Sequence, residues 1–215
     1  MAQVESAHYE FSKYVSKERW VSFYHQMVEV LKFVPESVLE LGPGPGILNT
    51  LLSKFGVETV TVDHAPDLWP DVVASGVALP FVDNQFDCTC AFQVLEHLSY
   101  EDSLKVFAEL VRVARKGVVV SLPNAAILWP FSVYIPTMGV RYFHVSKPTR
   151  ILGTFPLRHK HYWEIGRPGY SRDKIVGDFL KEQVDLKDEH RVKEFPYHHF
   201  FVFNKNMTER LGNGA

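Results

Sequence analysis

Glycines at positions 42, 44 and 46 alternate with Pro43 and Pro45 in the stretch VLELGPGPGILNTLL, between an apolar run and an amphipathic one. A loop of this kind lets a ligand come close to the backbone, because glycine has no side chain and tolerates left-handed φ values. The spacing narrows the choice of ligand. A dinucleotide fingerprint needs its third glycine at position 47, where this chain has Ile47, and no Gly-Lys-Ser/Thr follows to make a P-loop. Pro43 and Pro45 also remove two N–H donors that a pyrophosphate would use. These points argue against a nicotinamide-dependent oxidoreductase. The loop suits an adenosine-containing ligand whose nearby part is not polyanionic.

Further residues able to do chemistry lie downstream. Asp63 closes the run VETVTVD about 20 residues after the loop begins, the distance at which a carboxylate meets ribose hydroxyls in nucleotide folds. Glu96 and His97 end the segment AFQVLEH, and LRHKHYWEIGRPGY crowds His159, His161, Tyr162, Trp163 and Glu164, with His144 upstream. Neutral histidine accepts a proton near pH 7, which makes His97 and His161 candidate bases or positioning groups. A lid whose histidines bond to backbone is the alternative. A zinc site is disfavoured: no cysteines support it, and His159 and His161 lack the i, i+4 spacing of helical ligands. His198 and His199 in PYHHFF read as structural strand residues. Tyr9, Tyr14 and Arg19 either line a pocket or belong to amphipathic packing. Lys105, Arg112, Arg115 and Lys116 read as a solvated helix face.

Positioning these residues requires a scaffold, and the pattern supplies one. Residues 16–33 have a helical apolar period closed by Pro35, then SVLEL, VETVTVD, QFDCTCAFQVL and KGVVVSLPN alternate as strands with helical stretches. Alternation of this kind makes a Rossmann-like, doubly wound parallel sheet with right-handed crossovers and a ligand site at the carboxyl ends of the strands. Residues 125–170 are rich in proline and aromatics without a clear period. SRDKIVGDFLKE is helical, and VDLKDEHRVKEF with HHFFVFNK predicts a closing antiparallel pair.

The 215 residues fit one domain, divided as an N-terminal helical segment (1–35), a ligand-binding core (36–124), a cap (125–165) and a C-terminal helix with strands (166–215). A net charge of −2 gives no electrostatic footprint for nucleic acid. The N-terminus lacks the apolar core of a secretory signal, and the longest apolar tract is short and broken by Pro130 and Pro136. The reading is a cytoplasmic protein, monomer or homodimer, with no transmembrane segment. Cys88 and Cys90, two apart in a strand, share a face in poor geometry for a disulfide and read as buried thiols.

Four motifs in order over residues 38–124 resemble those of class I S-adenosylmethionine-dependent methyltransferases of the type 11-like group. VLELGPGPG resembles the first, an acidic residue followed by G-x-G-x-G; ASGVALPFVDNQFD resembles GDAxxLPFxDxxFD, with Ser75 where the family has aspartate. AFQVLEHL and VVVSLPN resemble the ends of the fourth and fifth strands. The resemblance implies a mostly parallel seven-stranded sheet with a C-terminal antiparallel pair, and a cap inserted after the fifth strand. It implies S-adenosylmethionine held by Glu40, Gly42, Pro43, Gly44 and Gly46, by Asp63 and His64, by Ser75, Gly76 and Val77, and by Phe92 and Gln93. It further implies methyl transfer to an O, N or C nucleophile of a small-molecule acceptor; a non-catalytic binding protein of the same fold is the alternative. LPN is followed by AAI rather than P-P-[FYW], so no nucleic acid is expected. In QVLEH, Gln93 replaces the first carboxylate of the E-x-x-E-H array found in methyltransferases of the ubiquinone-biosynthesis type, so no metal is expected.

Overall fold

The structure is a computed structural model that describes residues 16–146, 157 and 160–206; Tyr9, Tyr14 and His159 lie outside the described residues. Helix α1 (Lys17–Leu31) starts at Ser16, whose hydroxyl accepts the Arg19 N–H at 3.2 Å. It leads into β1 (Ser37–Leu41), α2 (Ile47–Lys54), β2 (Glu58–Asp63) and the two-residue β3 (Val72–Val73). Then follow β4 (Phe86–Phe92), α3 (Tyr100–Val113) and β5 (Ala114–Pro123). After a hairpin of β6 (Leu128–Ile135) and β7 (Gly139–Ser146) come α4 (Arg172–Phe179), β8 (Val184–Arg191) and β9 (His198–Lys205).

Seven strands form one sheet in the order β3-β2-β1-β4-β5-β9-β8, the first five parallel and the last two antiparallel to their neighbours. The chain moves outward from β1 to β2 and β3, then returns to place β4 on the other side of β1. The crevice for a ligand opens at that reversal, beyond the carboxyl ends of β1 and β4.

β4 is covered on both faces, so that Phe86 to Ala91 are all buried, the polar Asp87 and Thr89 included. One face packs Phe107 of α3 on Phe179 of α4, rings stacked at 3.9 Å, with Phe203 edge-on to both. The other face holds Val30, Phe33, Leu48, Leu52, Phe200 and the thiols Cys88 and Cys90. Both cysteines are free, as their strand spacing predicts. Among the described residues, no helix is long and apolar enough to cross a membrane.

Two features depart from the sequence reading. Arg115 and Lys116 belong to β5 rather than to a helix face, and both pair with the buried Asp87. Arg112 braces a loop, donating to the carbonyls of Phe81 (2.8 Å) and Leu79 (3.1 Å) while pairing with Glu109. The basic cluster is thus largely structural. The stretch without a clear period contains the β6–β7 hairpin, a separate two-stranded sheet. Its alternation is hidden because apolar residues stand on both faces. Trp129, Phe131, Val133, Tyr134, Phe143 and Val145 are all exposed. Arg191 clasps its base through the Ala126 carbonyl at 2.8 Å, and His144 donates to the Lys193 carbonyl at 2.9 Å.

Candidate active site

The glycine loop leaves β1 through three left-handed residues, Gly42, Gly44 and Gly46, with φ of 70°, 54° and 68°. At Gly42 the requirement is steric as well: an added Cβ would stand 2.5 Å from Cγ2 of Val94. Beyond the loop lies a cavity of about 430 Å³. It is walled by Glu40, Gly42, Pro43, Gly44, Asp63, His64, Ser75, Gly76, Val77, Phe92 and Gln93, all read from the sequence as binding residues. Gly46 is set apart from these. Its carbonyl accepts from the Thr50 hydroxyl at 2.7 Å at the start of α2, so it shapes the turn rather than the main cavity wall.

Two carboxylates give the cavity its electrostatic character. Glu40 is buried, its Oε2 has no hydrogen-bond partner, and burial pushes its pKa up to about 8 against the lowering effect of the Asn49 N–H. A buried carboxyl with an unsatisfied oxygen is costly unless a donor or cation meets it. Asp63 ends β2, with Oδ1 accepting from the Ala65 N–H at 2.9 Å and lying 3.1 Å from His64 Nδ1. Gln93 holds φ of 58°, uncommon for a residue with a side chain. The strain is held in place by β5: the Gln93 N–H donates to the Ser121 carbonyl at 3.0 Å and its amide to the Ser121 hydroxyl at 3.3 Å.

A second set of polar groups forms the other end of the same cavity. Glu96 and His97 sit on a single 3-10 turn (Leu95–His97) after β4. The chain returning from the hairpin brings Lys160 and His161 against them, with the Tyr162 N–H donating to the Glu96 carbonyl at 2.8 Å. His97 Nδ1–H donates to the Lys160 carbonyl at 3.1 Å, and the two imidazoles meet edge to face at 4.8 Å. His161 Nδ1–H donates to Glu164 Oε1 at 2.9 Å. Glu164 is fully buried and also accepts from the Tyr197 hydroxyl (2.6 Å) and Arg167 (2.9 Å). Burial raises its pKa, but Tyr197, Arg167 and His161 outweigh that and hold it below the ordinary carboxylate range.

The sequence reading named His97 and His161 at two separate loci; the fold brings both to one cavity and adds walls that the sequence did not offer. Phe23 and Gln26 of α1 line the cavity, as does Arg19. Their signal was the buried stripe of an amphipathic helix, which reads equally as packing. His198, read as structural, lines the cavity and is hydrogen-bonded to Ser22 at 2.7 Å. Its neighbour His199 is structural: it accepts from the Asn124 amide at 3.2 Å, and burial pushes its pKa down to about 3. Adjacent strand residues point to opposite faces, which is what separates the two. Trp163, assigned to the cap by its aromaticity, is a core residue.

A methyltransferase-domain family model matches residues 39–122, the span from β1 to β5 that carries the glycine loop and Asp63. An uncharacterised methyltransferase of Mycobacterium tuberculosis is 31% identical over 140 residues, covering 60% of this chain and 53% of that one. The chain thus spans about half the length of the curated relatives it matches. The chain carries a class I S-adenosylmethionine-dependent methyltransferase domain. The fold of the methyltransferase domain agrees with two solved structures that contain S-adenosylhomocysteine. One is the Burkholderia thailandensis 1,6-didemethyltoxoflavin-N1-methyltransferase, with a TM-score of 0.58 at 12% identity over 86% of this chain and 78% of that one. The other is the N-methyltransferase NodS of Bradyrhizobium japonicum, with a TM-score of 0.58 at 11% identity over 88% of each.

The residues of the methyltransferase domain fit S-adenosylmethionine as cofactor. Glu40 offers an unsatisfied buried oxygen to a cationic group. Gly42, Pro43 and Gly44 present backbone to the cavity rather than long side chains. Asp63 supplies a carboxylate at the strand end, and Val77, Leu98 and Val106 supply an apolar slot. At the opposite end, Glu96, His97 and His161 offer ligand atoms within 4.8 Å of one another, a set able to hold a divalent ion. The sequence expected no metal, from Gln93 in QVLEH and from the missing cysteines and i, i+4 spacing around His161; the fold brings His161 to Glu96 and His97 from a distant segment.

Proposed function

We propose that this protein transfers a methyl group from S-adenosylmethionine to an oxygen, nitrogen or carbon nucleophile of a small-molecule acceptor. One observation carries the reading: the glycine loop and His161, whose Nδ1 is held by Glu164 behind it, line one cavity. When bound, the cofactor supplies an electrophilic methyl on a sulfonium. Glu40 receives the cationic amino group and Asp63 the ribose hydroxyls, while Ser75, Gly76 and Val77 border the base. Residues so placed would hold the cofactor against the acceptor end, and alignment can supply much of the acceleration in such a displacement.

His161 takes the acceptor's proton. Its Nδ1–H is committed to Glu164, so Nε2 carries the lone pair, and the buried carboxylate stabilises the imidazolium that forms. His97 borders the same space and positions the acceptor. Residues 125–165 are the acceptor-selecting cap in this reading, which is supported by Lys160 and His161 lining the cavity. Two substitutions separate the two halves of the proposal. Asp63→Ala weakens cofactor binding about tenfold or more by calorimetry, through loss of charge-assisted hydrogen bonds. His161→Asn leaves cofactor affinity near wild type and lowers single-turnover methyl transfer about 100-fold. A protein that binds cofactor but methylates nothing in a broad acceptor screen would instead be a binding protein of methyltransferase fold.

A further inference from the structure

On the far side of α1 from Phe23, three side chains converge that the methyl-transfer site does not use. His25 and Glu29 lie one helical turn apart, and His190 faces them from β8. His25 Nδ1 is 3.2 Å from His190 Nε2, and that nitrogen is 3.9 Å from Glu29 Oε1. All three ligand atoms lie within 4.8 Å of one another. Two nitrogens bonded to one tetrahedral zinc ion stand about 3.3 Å apart, so the imidazole pair already has the span of one edge of that tetrahedron. Packing holds the rings: His190 lies flat on Phe200 at 5.4 Å, and His25 meets Tyr24 edge to face at 5.6 Å.

We propose that His25, Glu29 and His190 form a binding site for a zinc-type divalent cation, with water as the fourth ligand. Two imidazoles and one carboxylate favour a borderline transition ion over calcium or magnesium, which take oxygen ligands. The competitor is on the page too. Lys32 grips both Glu29 oxygens at 2.6 and 2.8 Å and reaches Asp188 at 3.4 Å. The ion must displace Lys32 from one oxygen, with Asp188 at hand to receive the ammonium. Affinity is therefore moderate, in the micromolar range rather than that of a structural zinc finger.

The location gives the site a consequence. The same helix carries Arg19, Phe23 and Gln26 into the cofactor cavity, and Ser22 bonds His198 on β9. An ion bridging α1 to β8 would add a second tie between this helix and the C-terminal strands. Coupling between the two sites is then reciprocal: the ion tightens S-adenosylmethionine binding, and the cofactor tightens the ion by the same factor.

The test uses the full chain, stripped with chelator and titrated at pH 7.5 with zinc alone by calorimetry, and with cobalt to read the tetrahedral absorption band. Uptake of an ion is expected, weakened about tenfold or more by His190→Gln and by His25→Gln, and unaffected by His161→Gln in the other cluster. With the other cluster disabled by His161→Gln, zinc should still raise the melting temperature, and adding His190→Gln should abolish that rise. Lys32→Met keeps every ligand, removes the competitor and should tighten binding. No uptake, uptake unchanged by both histidine variants, or loss only in His161→Gln would overturn the site. Unchanged affinity in Lys32→Met would remove Glu29 from it. Loss of the ion leaves the methyl-transfer reading intact, since no ligand lines the acceptor end; failure of His161→Asn to slow transfer would leave the ion site intact.

Discussion

In residues 37–124 many of the cavity residues lie at a strand's carboxyl end or just past it: Glu40 to Gly44 at β1, Asp63 and His64 at β2, Phe92 and Gln93 at β4. On the acceptor side, by contrast, Glu96 and His97 meet Lys160 and His161 from a returning segment, His198 from the last strand, and Arg19, Phe23 and Gln26 from the first helix. The first half is built by local chain geometry on a rigid parallel sheet. The second is assembled by long-range packing between segments far apart in sequence, 63 residues for His97 and Lys160 and 176 for Ser22 and His198. Spacing in the sequence records the former and carries almost no trace of the latter.

The sharpest way to break this comparison is at Glu164, on which the assembled side converges. Glu164→Ala removes the acceptor shared by Tyr197, Arg167 and His161. Breaking a buried charged network of this kind costs about 3–5 kcal/mol. Chemical denaturation should show that loss at neutral pH. The sign of its pH dependence follows from the lowered pKa of Glu164. A depressed carboxylate stabilises fully above its unfolded value of about 4.3, and the contribution disappears as pH falls through the folded value. The gap between wild type and variant should therefore narrow in acid. A constant gap from neutral to acidic pH would mean that packing, not charge, is what Glu164 contributes.

The locally built side is tested at Gly42. Valine there would face a left-handed φ of 70° and a 2.5 Å approach to Val94. Overpacking and backbone strain together predict about 2–4 kcal/mol of destabilisation, with cofactor binding lost in calorimetry even where the protein stays folded. If Gly42→Val folds and binds S-adenosylhomocysteine at wild-type affinity, the loop is not the close-approach surface described above.

These two sites also show why the sequence was legible in one place and opaque in another. Glu40, Gly42 and Asp63 could be read because each is tied to a strand end by a fixed number of residues, and the loop chemistry allows few ligands. Four parallel strands and the closing pair followed from the same alternation of periods; the seven-stranded sheet came from the family resemblance, and the two-residue β3 leaves no pattern to read. The β6–β7 hairpin was missed because Trp129, Phe131 and Phe143 on one face and Pro130 and Tyr134 on the other erase the polar–apolar alternation. That His198 reaches the cavity was not legible, because a strand histidine flanked by aromatics looks the same whether its face meets core or cavity. The grouping of Glu96 with His161 is a product of the return path from the hairpin, which no local pattern encodes.

A third experiment asks whether Glu40 meets the cofactor's cation. In the free protein burial raises its pKa to about 8, so at pH 7 the folded chain holds it mostly protonated. An ammonium group beside it favours the carboxylate, so binding must release a proton at pH values below about 8. Cofactor affinity should rise with pH between 6 and 8, by less than tenfold per unit, and level off above. Calorimetry in buffers of different ionisation enthalpy measures the released proton directly, and Glu40→Gln should abolish the release. Proton release that persists in Glu40→Gln would assign it to another group.

The smallest effect is expected at the hairpin, and it separates the two sides most cleanly. Phe131 pairs directly with Phe143 across the β6–β7 ladder, and the two rings are 51% and 55% exposed. Replacing both with serine removes little buried area, so stability should change by no more than about 0.5 kcal/mol. None of the cavity-lining residues belongs to β6 or β7, so cofactor affinity should stay within about twofold of wild type. The acceptor side should respond differently if the segment caps the site. Loss of apolar contact to a ring-bearing acceptor would raise its KM about tenfold with kcat little changed, the signature of lost uniform binding. Equal KM values for variant and wild type would remove the hairpin from the cap. Acceptor choice would then fall to Lys160, His161 and the residues of α1 that share the cavity with them.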